Sequence, residues 1–327
     1  MRAEVPRTER GAALLTVLLL VAVIAVLAGV ALEKLRLATR LGGNAVALDQ
    51  ARAFSFAAET LAVFKISDLL SKSPDKVTLE GGWSGQPFAL PIPNGTATAT
   101  VTDGGNCFNL NSLAIEVTPG VYAAYTPART QFARLIALVD PTARSPDAIA
   151  AAAADWIDSD NSPLDGGAED NVYGGGKLAY RTANTLMTDP SELRSVAGVT
   201  RLDYERLRPW LCTLPVATPS KINVNTVLPE QAPLIAMLGQ TLSVEAVRQA
   251  LLQRPPKGFA NAGAFWSQSA LAGGAGATGA GQTDVKTTWF ALRVDVALGS
   301  TRLEQTGLID ATALPARLVS RQWGERP

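Results

Sequence analysis

The first 72 positions of the chain carry two hydrophobic patterns in succession. A first group of charged residues ends at Arg10. The residues from Gly11 to Leu32 are all uncharged, and most of them are aliphatic. A helix of these 22 residues would be about 33 Å long, enough to cross the hydrocarbon core of a bilayer. From Leu32 to about Lys72, apolar residues recur every three to four positions, which predicts that the helix continues and packs on a domain. Two separate helices, broken at Gly42–Gly43, are the alternative.

Beyond this helix, short strand patterns flank a long helical block. Period-two alternation predicts one strand in TATATVTD and two in TTWFALRVDVALG and TRLEQTGLID, which meet at Gly299-Ser300 as a hairpin. The pattern turns helical from Phe132 to about Ala154, and Asp189 with Glu192 forms a capping box at a later helix start. Because a hairpin is not stable alone in water, we expect it to join the strands before residue 115.

Composition removes several kinds of chemistry. The 327 residues include no histidine, which excludes Ser-His-Asp catalysis, histidine-ligated zinc and the usual pH switch. Basic and acidic residues balance at 29 each, so no net field attracts nucleic acid. Cys107 and Cys212 stand far apart and outside any CxxC pattern, which argues against a thiolate zinc site. One disulfide can form in an oxidising compartment, and two free thiols are the alternative.

One segment concentrates acidic residues. Residues 155–170 contain six carboxylates, and no Lys or Arg follows until Lys177. At about 4 Å, two like charges repel by about 1 kcal/mol in water and by several times more near a protein surface. A divalent cation makes their proximity favourable, and a Gly-containing loop of oxygen ligands suits Ca²⁺. A solvated acidic loop is the alternative. The candidate ligands are Asp155, Asp158, Asp160, Asp165, Glu169 and Asp170.

The junction at Gly11 allows three interpretations. A secretory signal peptide would have a shorter apolar core, a plain membrane anchor fits the composition, and the third interpretation places a processing site before the apolar run. Arg2, Arg7 and Arg10 precede that run, which predicts a cytoplasmic N-terminus with the remainder outside. A charged leader, a Gly and an immediate apolar helix resemble the type IV prepilin class, which includes the pseudopilins of type II secretion.

The prepilin resemblance implies cleavage after Gly11 by a membrane peptidase and methylation of Ala12. The class usually carries Glu at the fifth mature position, where this chain has Thr16. A carboxylate within a membrane helix needs a partner, and in the class it is thought to pair with the N-terminus of a neighbouring subunit. Thr16 therefore favours a subunit that need not dock beneath another one.

Motifs in the rest of the chain resemble one family. FNLNSL, DWIDSDNSP, GAEDNVY, AYRTAN, DPSELRSV, YERLRPWLCTLP and INVNT stand in the order found in the general secretion pathway protein K family. This resemblance implies an α+β fold in which a long N-terminal helix packs on a small antiparallel sheet, with a large all-α inserted domain. The implied calcium ligands are Asp155, Asp158, Asp160, Glu169 and Asp170, and Asp165 is added from its charge alone.

The same resemblance supplies domain boundaries and partners. It implies a leader over 1–11, a transmembrane helix over 12–32, a pseudopilin domain formed by 33–118 with 283–327, and an inserted helical domain over 119–282. The expected role is structural, not enzymatic: a periplasmic subunit, anchored in the inner membrane, that caps the pseudopilus tip and holds one or two Ca²⁺ ions. Expected partners are other minor pseudopilins, the prepilin peptidase and the inner-membrane secretion platform.

A membrane-anchored DNA-binding or DNA-uptake protein is the alternative function. INVNT and LSVEAVRQALLQRPPKGF look like the helix-hairpin-helix module, which offers the amides of a Gly-x-Gly hairpin to phosphate. Here the hairpin MLGQTL contains a single glycine, Gly239, and the nearest basic residues are Arg248, Arg254 and Lys257. Without a basic patch the electrostatic attraction to nucleic acid is weak, so we expect this segment to be structural.

Overall fold

The computed structural model describes residues 7–175, 179–271, 274 and 276–324, so most of the predicted leader lies outside the described residues. The α-helices, in chain order, are α1 (Arg7–Lys72), α2 (Thr126–Val139), α3 (Pro146–Asp155), α4 (Asp170–Tyr173), α5 (Arg201–Leu207), α6 (Pro233–Ala236), α7 (Val244–Leu252), α8 (Ala262–Trp266) and α9 (Ala277–Ala280). The strands are β1 (Phe88–Leu90), β2 (Gly95–Asp103), β3 (Phe108–Asn109), β4 (Ala114–Thr118), β5 (Val121–Ala124), β6 (Leu211–Cys212), β7 (Ile222–Asn223), β8 (Thr283–Asp284), β9 (Trp289–Leu298), β10 (Thr301–Asp310) and β11 (Arg317–Trp323).

Helix α1 is continuous over 66 residues, about 99 Å at 1.5 Å per residue. The long helix predicted to end near Lys72 is therefore confirmed, and the alternative break at Gly42–Gly43 is wrong. Within the described part of the chain, nothing lies within 4 Å of a Cβ built on either glycine. A helix-interior glycine lowers stability by about 1 kcal/mol without breaking the helix, and the flanking aliphatic residues continue it.

The first half of α1 leaves its apolar side chains uncovered. Large aliphatic residues from Leu14 to Leu41 are exposed around the whole helix. The segment is long and apolar enough to cross a membrane. A helix that is hydrophobic on all sides is stable only in an apolar surrounding, so this half suits membrane anchoring.

The second half of α1 buries one stripe against a sheet. The residues of this stripe follow one another at intervals of three or four, so they share one helix face. Most of them are small, which lets the helix axis approach the sheet closely. Ser55 donates a hydrogen bond of 2.5 Å to Gln305 in β10, and Glu59 pairs with Arg321 in β11 at 2.8 Å. The stripe consists of Ala51, Ser55, Ala58, Ala62 and Ile66.

The sheet is five-stranded and antiparallel, in the order β1-β2-β9-β10-β11. Alternate residues of β9, from Phe290 to Leu298, face α1, and the residues between them face away. The predicted β9–β10 hairpin is confirmed, with Gly299 at φ 56° in its turn, where an L side chain is strained. The expected pairing of this hairpin with an earlier strand is also confirmed, because β9 pairs along β2.

A second hydrophobic core lies among the elements between Phe108 and Val285. Phe108 stacks on Phe132 with ring centroids 4.8 Å apart. In its described residues, this helical domain also contains three two-stranded pairs, β3–β6, β4–β5 and β7–β8. The predicted α+β class, with a long helix on a small sheet and a large helical insertion, is confirmed.

The helical pattern predicted from Phe132 to about Ala154 corresponds to two helices. Helix α2 begins earlier, at Thr126, and ends at Val139, while α3 begins at Pro146. Pro141 disfavours the helical conformation of Asp140, and Pro146 suits the first turn of a new helix. The capping box at Asp189 and Glu192 is confirmed, although the helix that it starts, Pro190–Ser195, is a 3₁₀ helix.

Polar contacts join the two cores where β2 ends. Asp103 accepts hydrogen bonds from the hydroxyls of Thr226, at 2.5 Å, and Thr287. Asn223 donates to the carbonyl of Val77 at 3.0 Å. Nearby, Cys107, which precedes β3, forms a disulfide with Cys212 in β6. Phe108, Leu110 and Leu113 pack in the helical core, and the domain boundary after residue 118 stays a prediction.

Candidate metal centre

The acidic loop begins where α3 ends, and Asp155 holds it together. Asp155 is fully buried and accepts hydrogen bonds from the backbone amides of Leu164, at 3.2 Å, and Ala168, at 2.8 Å. A Cβ on Gly167 would lie 1.9 Å from the carboxylate, so only glycine fits there. Asp155 therefore closes the loop on itself and brings the residues before and after it together.

Three of the predicted ligands meet in space. One carboxylate oxygen from each of Asp158, Asp160 and Glu169 lies within 4.8 Å of the others. Asp158 and Glu169 are each 2% exposed, whereas Asp160 is exposed. Among the residues that the structure describes, no Lys or Arg forms an ion pair with any of the three. Within the described residues, negative charge therefore gathers in this loop without a neutralising side chain.

The other predicted ligands have different surroundings. Asp170 accepts hydrogen bonds from the backbone amide and the hydroxyl of Thr182, both at 3.0 Å, and lies 3.8 Å from Arg181. Asp165 is exposed on the turn of the loop. The structure thus brings together half of the six residues predicted from the sequence, gives Asp155 and Asp170 partners within the protein, and leaves Asp165 at the surface.

Burial and mutual repulsion raise the pKa values of the gathered carboxyl groups. Burial is the largest cause for Asp158, followed by the charges of Asp160, Asp155 and Glu169, and together they raise its pKa to about 7. The pKa of Glu169 is also raised, again mainly by burial, against a hydrogen bond from Thr182. The arrangement therefore disfavours the ionised carboxylates unless a positive charge is added.

Buried oxygen atoms without partners point to a ligand. Among the described residues, Asp158 Oδ1 and Glu169 Oε1 are buried without a hydrogen-bond partner. Such orphaned acceptors are rare in proteins and call for an ion or a water molecule. All the candidate ligand atoms are oxygens, and two of the three carboxylates are buried. This chemistry fits a hard divalent cation such as Ca²⁺.

Asn184 is a further candidate that the sequence patterns did not single out. Its Oδ1 is also buried and unpaired among the described residues. Its backbone amide donates to the carbonyl of Trp156 at 3.1 Å, and its side-chain amide lies 3.4 Å from Asn161 Oδ1. These contacts place Asn184 against the acidic loop. The sequence offered one pointer to this neutral residue, which is that it ends AYRTAN, one of the motifs on which the family resemblance depends.

An aromatic cluster packs next to the acidic loop. Trp156 contacts Tyr173 and Tyr180, with ring centroids 5.4 and 6.1 Å apart. The hydroxyl of Tyr173 accepts a hydrogen bond from the amide of Ala197 at 3.1 Å. The loop thus packs against a cluster of aromatic rings.

The segment that resembles a helix-hairpin-helix is covered by the chain itself. A Cβ on Gly239, in the hairpin between α6 and α7, would lie 1.9 Å from the carbonyl oxygen of Gly274, and one on Gly279 would lie 2.5 Å from that of Leu238. Arg134 donates to the carbonyls of Ala236, the last residue of α6, and of Leu242 in the hairpin. Because Gly274 and Gly279 pack against the hairpin, its backbone is not open to a phosphate group, and the DNA-binding alternative is not supported.

These features together define a class of protein. A helix of membrane-spanning length whose second half packs on a small antiparallel sheet is the architecture of a pseudopilin, and here a large helical insertion with an acidic loop is added to it. Family models agree: two models, both described as type II secretion system (T2SS), protein K, match residues 106–216 and residues 222–286.

Relatives extend the match to almost the whole chain. Type II secretion system protein K of Pectobacterium carotovorum subsp. carotovorum is 33% identical over 97% of this chain and 97% of its own length. The protein of the same name from Klebsiella pneumoniae is 34% identical over the same shares of both chains. A chain from the crystal structure of the GspK-GspI-GspJ complex of enterotoxigenic Escherichia coli superposes with a TM-score of 0.74 and 31% identity, covering 85% of this chain and 97% of that one.

This chain belongs to the type II secretion system protein K family. It is a minor pseudopilin of type II secretion. The resemblance read from the order of its sequence motifs is thereby confirmed.

Proposed function

We propose that this minor pseudopilin caps the tip of the pseudopilus in a complex with two other minor pseudopilins and has no enzymatic role. The observation that carries the proposal is the structural likeness to a chain crystallised in the GspK-GspI-GspJ complex, which covers 97% of that chain. The same fold over that length supports a comparable assembly for this chain. Its function is then mechanical support of protein export across the outer membrane.

Position 16 supports a terminal place in the filament. The hydroxyl of Thr16 donates to the carbonyl of Ala13 at 2.9 Å, within its own helix. A glutamate at this depth in a bilayer would need a partner from another subunit, whereas the Thr16 hydroxyl finds its hydrogen-bond acceptor in its own helix. The subunit can therefore stay in the membrane without a neighbour above it, as a tip subunit must.

The N-terminal half of α1 supports an inner-membrane anchor with the globular part in the periplasm. The positive residues before Gly11 favour a cytoplasmic N-terminus. A periplasmic location agrees with the disulfide between Cys107 and Cys212, since disulfides persist in oxidising compartments. We further propose that the prepilin peptidase cleaves after Gly11, that Ala12 is methylated, and that the mature chain then reaches the inner-membrane secretion platform.

The proposal also includes a calcium ion bound by the acidic loop. Asp158, Asp160 and Glu169 would hold Ca²⁺, Asn184 offers a neutral oxygen, and Asp155 shapes the loop around them. A bound Ca²⁺ supplies positive charge that the described residues do not provide at this place. Asp165 and Asp170 remain candidate ligands for a second ion on the same loop.

The experiment is co-purification from cells that express the full secretion system. Tagged wild-type chain, extracted in mild detergent, is expected to retain two other minor pseudopilins and to have lost the leader. Gly11→Val should block both maturation and assembly. Gly29→Val is the matched control, because Gly29 lies exposed in the same helix with nothing described within 4 Å of an added Cβ. A chain that purifies alone, or a Gly11→Val variant that matures normally, would contradict the proposal.

A further inference from the structure

The acidic loop is joined to a small hairpin on the surface of the helical domain. Ser159 lies between Asp158 and Asp160, two of the three gathered carboxylates. Its backbone amide donates to the carbonyl of Tyr122 at 2.9 Å, and its hydroxyl accepts from the amide of Tyr122 at 2.9 Å. These two hydrogen bonds form a closed pair between the loop and strand β5.

The hairpin formed by β4 and β5 packs on the helical core at its base, through Ala114, Tyr122 and Ala124, but its tip has little support. Among the described strands, β4 and β5 pair only with each other, and the register shifts between Glu116 and Thr118. Isolated two-stranded hairpins are marginally stable in water. The apolar residues near the tip, Val117 and Val121, are 55% and 42% exposed, so they gain little from burial. At the base, the amide of Tyr125 donates to the carbonyl of Leu113 at 2.7 Å.

We propose that a divalent cation bound by Asp158, Asp160 and Glu169 fixes the β4–β5 hairpin in place through Ser159. The inference rests on the calcium proposal above and adds a consequence to it: the hairpin, and the apolar surface at its tip, becomes ordered in response to calcium.

The physical link is the position of Ser159 in the chain. Without a cation, the carboxylates on both sides of Ser159 and that of Glu169 repel one another, and the loop relieves the repulsion by spreading. Spreading moves Ser159 and breaks its paired hydrogen bonds with Tyr122. With the cation bound, the two flanking aspartates are drawn to one point, and Ser159 is held where Tyr122 can reach it.

The size of the effect follows from linkage. A ligand at 100 times its dissociation constant favours the binding-competent state by about 100-fold when it binds that state alone. Exchange of the Tyr122 amide should therefore slow by about 10- to 100-fold on saturation with calcium. Coupling of this kind is reciprocal, so weakening the Ser159 contact must weaken calcium binding by the same factor.

The test is hydrogen–deuterium exchange on the full chain in detergent micelles, with calcium or with chelator, while calcium affinity is measured on the same samples by calorimetry. In the wild-type chain, peptides covering residues 114–124 should exchange more slowly with calcium. Ser159→Ala should retain calcium binding with reduced affinity and lose most of this protection. Ser159→Thr keeps a hydroxyl and should restore it, and Ser300→Ala, an exposed serine in the β9–β10 turn, should match the wild type.

The outcomes separate this inference from the calcium proposal. Calcium binding with hairpin exchange unchanged within about twofold would overturn the coupling and leave the metal site standing. Full protection in Ser159→Ala would also overturn it, since the hydroxyl bond would then carry none of the effect. Absence of any calcium binding would overturn both proposals together. Slower hairpin exchange that requires both calcium and a hydroxyl at position 159 would establish the coupling.

Discussion

Asp140 and Asp158 lie in the same helical domain, and each is 2% exposed, yet their surroundings are opposite. Asp140, which follows α2, accepts a hydrogen bond from the Arg206 guanidinium at 2.6 Å and two more from Thr142. These contacts, led by the one to Arg206, lower its pKa to about 2. Asp158 has no such cation beside it among the described residues. One of its oxygens is buried without a partner there, and its pKa is raised to about 7.

Asp103 stands between these two extremes. It lies at the junction of the two cores, where the hydroxyls of Thr226 and Thr287 and the amide of Gly105 donate to it. These bonds oppose the effect of burial but do not cancel it, and its pKa is raised to about 6. The three aspartates show that hydrogen bonds alone partly stabilise a buried carboxylate, whereas a cation stabilises it fully. Among the described residues, no side chain supplies such a cation to Asp158.

The largest expected effect comes from giving the acidic loop a cation of its own. Asp160→Lys places an ammonium beside Asp158 and Glu169, which makes the loop resemble the Asp140 site. The variant should melt at a higher temperature than wild type in chelator, and its calcium affinity should fall by at least about 100-fold, because one ligand is lost and a like charge is added. Thermal melts and calorimetry measure both quantities.

Asp160→Asn is the matched control for this change. It removes a charge without adding one, so it should weaken calcium binding less than Asp160→Lys does. Calcium affinity in Asp160→Lys equal to that of the wild type would show that the three carboxylates do not form the site.

The second prediction removes the internal cation of the Asp140 site. Arg206→Ala leaves the buried Asp140 carboxylate without its main partner, so the melting temperature should fall. Arg201→Ala is the control on the same helix, α5, because Arg201 forms an exposed pair with Glu205, which contributes little. A melting temperature for Arg206→Ala no lower than for Arg201→Ala would show that Asp140 does not depend on the guanidinium.

The third prediction concerns pH. The pKa of Asp103 is raised in the folded state, so the folded chain binds more protons than the unfolded one between about pH 4 and pH 6. Protonation of Asp103 therefore stabilises the fold at low pH, and this stabilisation is lost as pH rises through that window. Asp103→Asn cannot ionise. Its unfolding free energy relative to wild type should therefore rise by about 1 to 3 kcal/mol from pH 4 to pH 7. Melts in saturating calcium measure the difference, and a constant difference across this range would refute the assignment.

The smallest expected effect is at Asp165. This residue is exposed and apart from the three gathered carboxylates. Asp165→Asn should lower calcium affinity by less than about threefold, since an exposed charge acts through solvent and salt. A loss comparable to that in Asp158→Ala would place Asp165 among the ligands and would widen the site.

The fold was largely predictable because its main elements carry strong local patterns. The uncharged run before Leu32 and the alternation in β9 and β10 indicate their structures directly. The strand β11 was not predicted, because most of its residues are exposed and the strand gains its place by pairing with β10. The break between α2 and α3 was missed although Pro141 and Pro146 mark it, because the alanine-rich pattern continues on both sides.

The candidate site was only partly predictable, because charge along the chain does not reveal where backbone amides lie. Asp155 and Asp158 are alike in the sequence, but the amides of Leu164 and Ala168 fold back onto Asp155 alone. Asn184 reaches the loop from a distant segment and carries no charge. The number of carboxylates along the chain therefore identified the loop. Only the fold separates Asp155, which shapes the loop, from Asp158 and Glu169, whose buried oxygens have no partner among the described residues.

Calcium titration of the full chain in detergent micelles by calorimetry, with melting followed in calcium and in chelator, tests the central claim most directly. The account predicts that calcium binds and raises the melting temperature, and that Asp158→Ala and Glu169→Ala each abolish both effects. Asp165→Asn should keep both. No heat of binding and no shift in the wild-type chain would contradict the claim that this loop gathers its carboxylates for a cation.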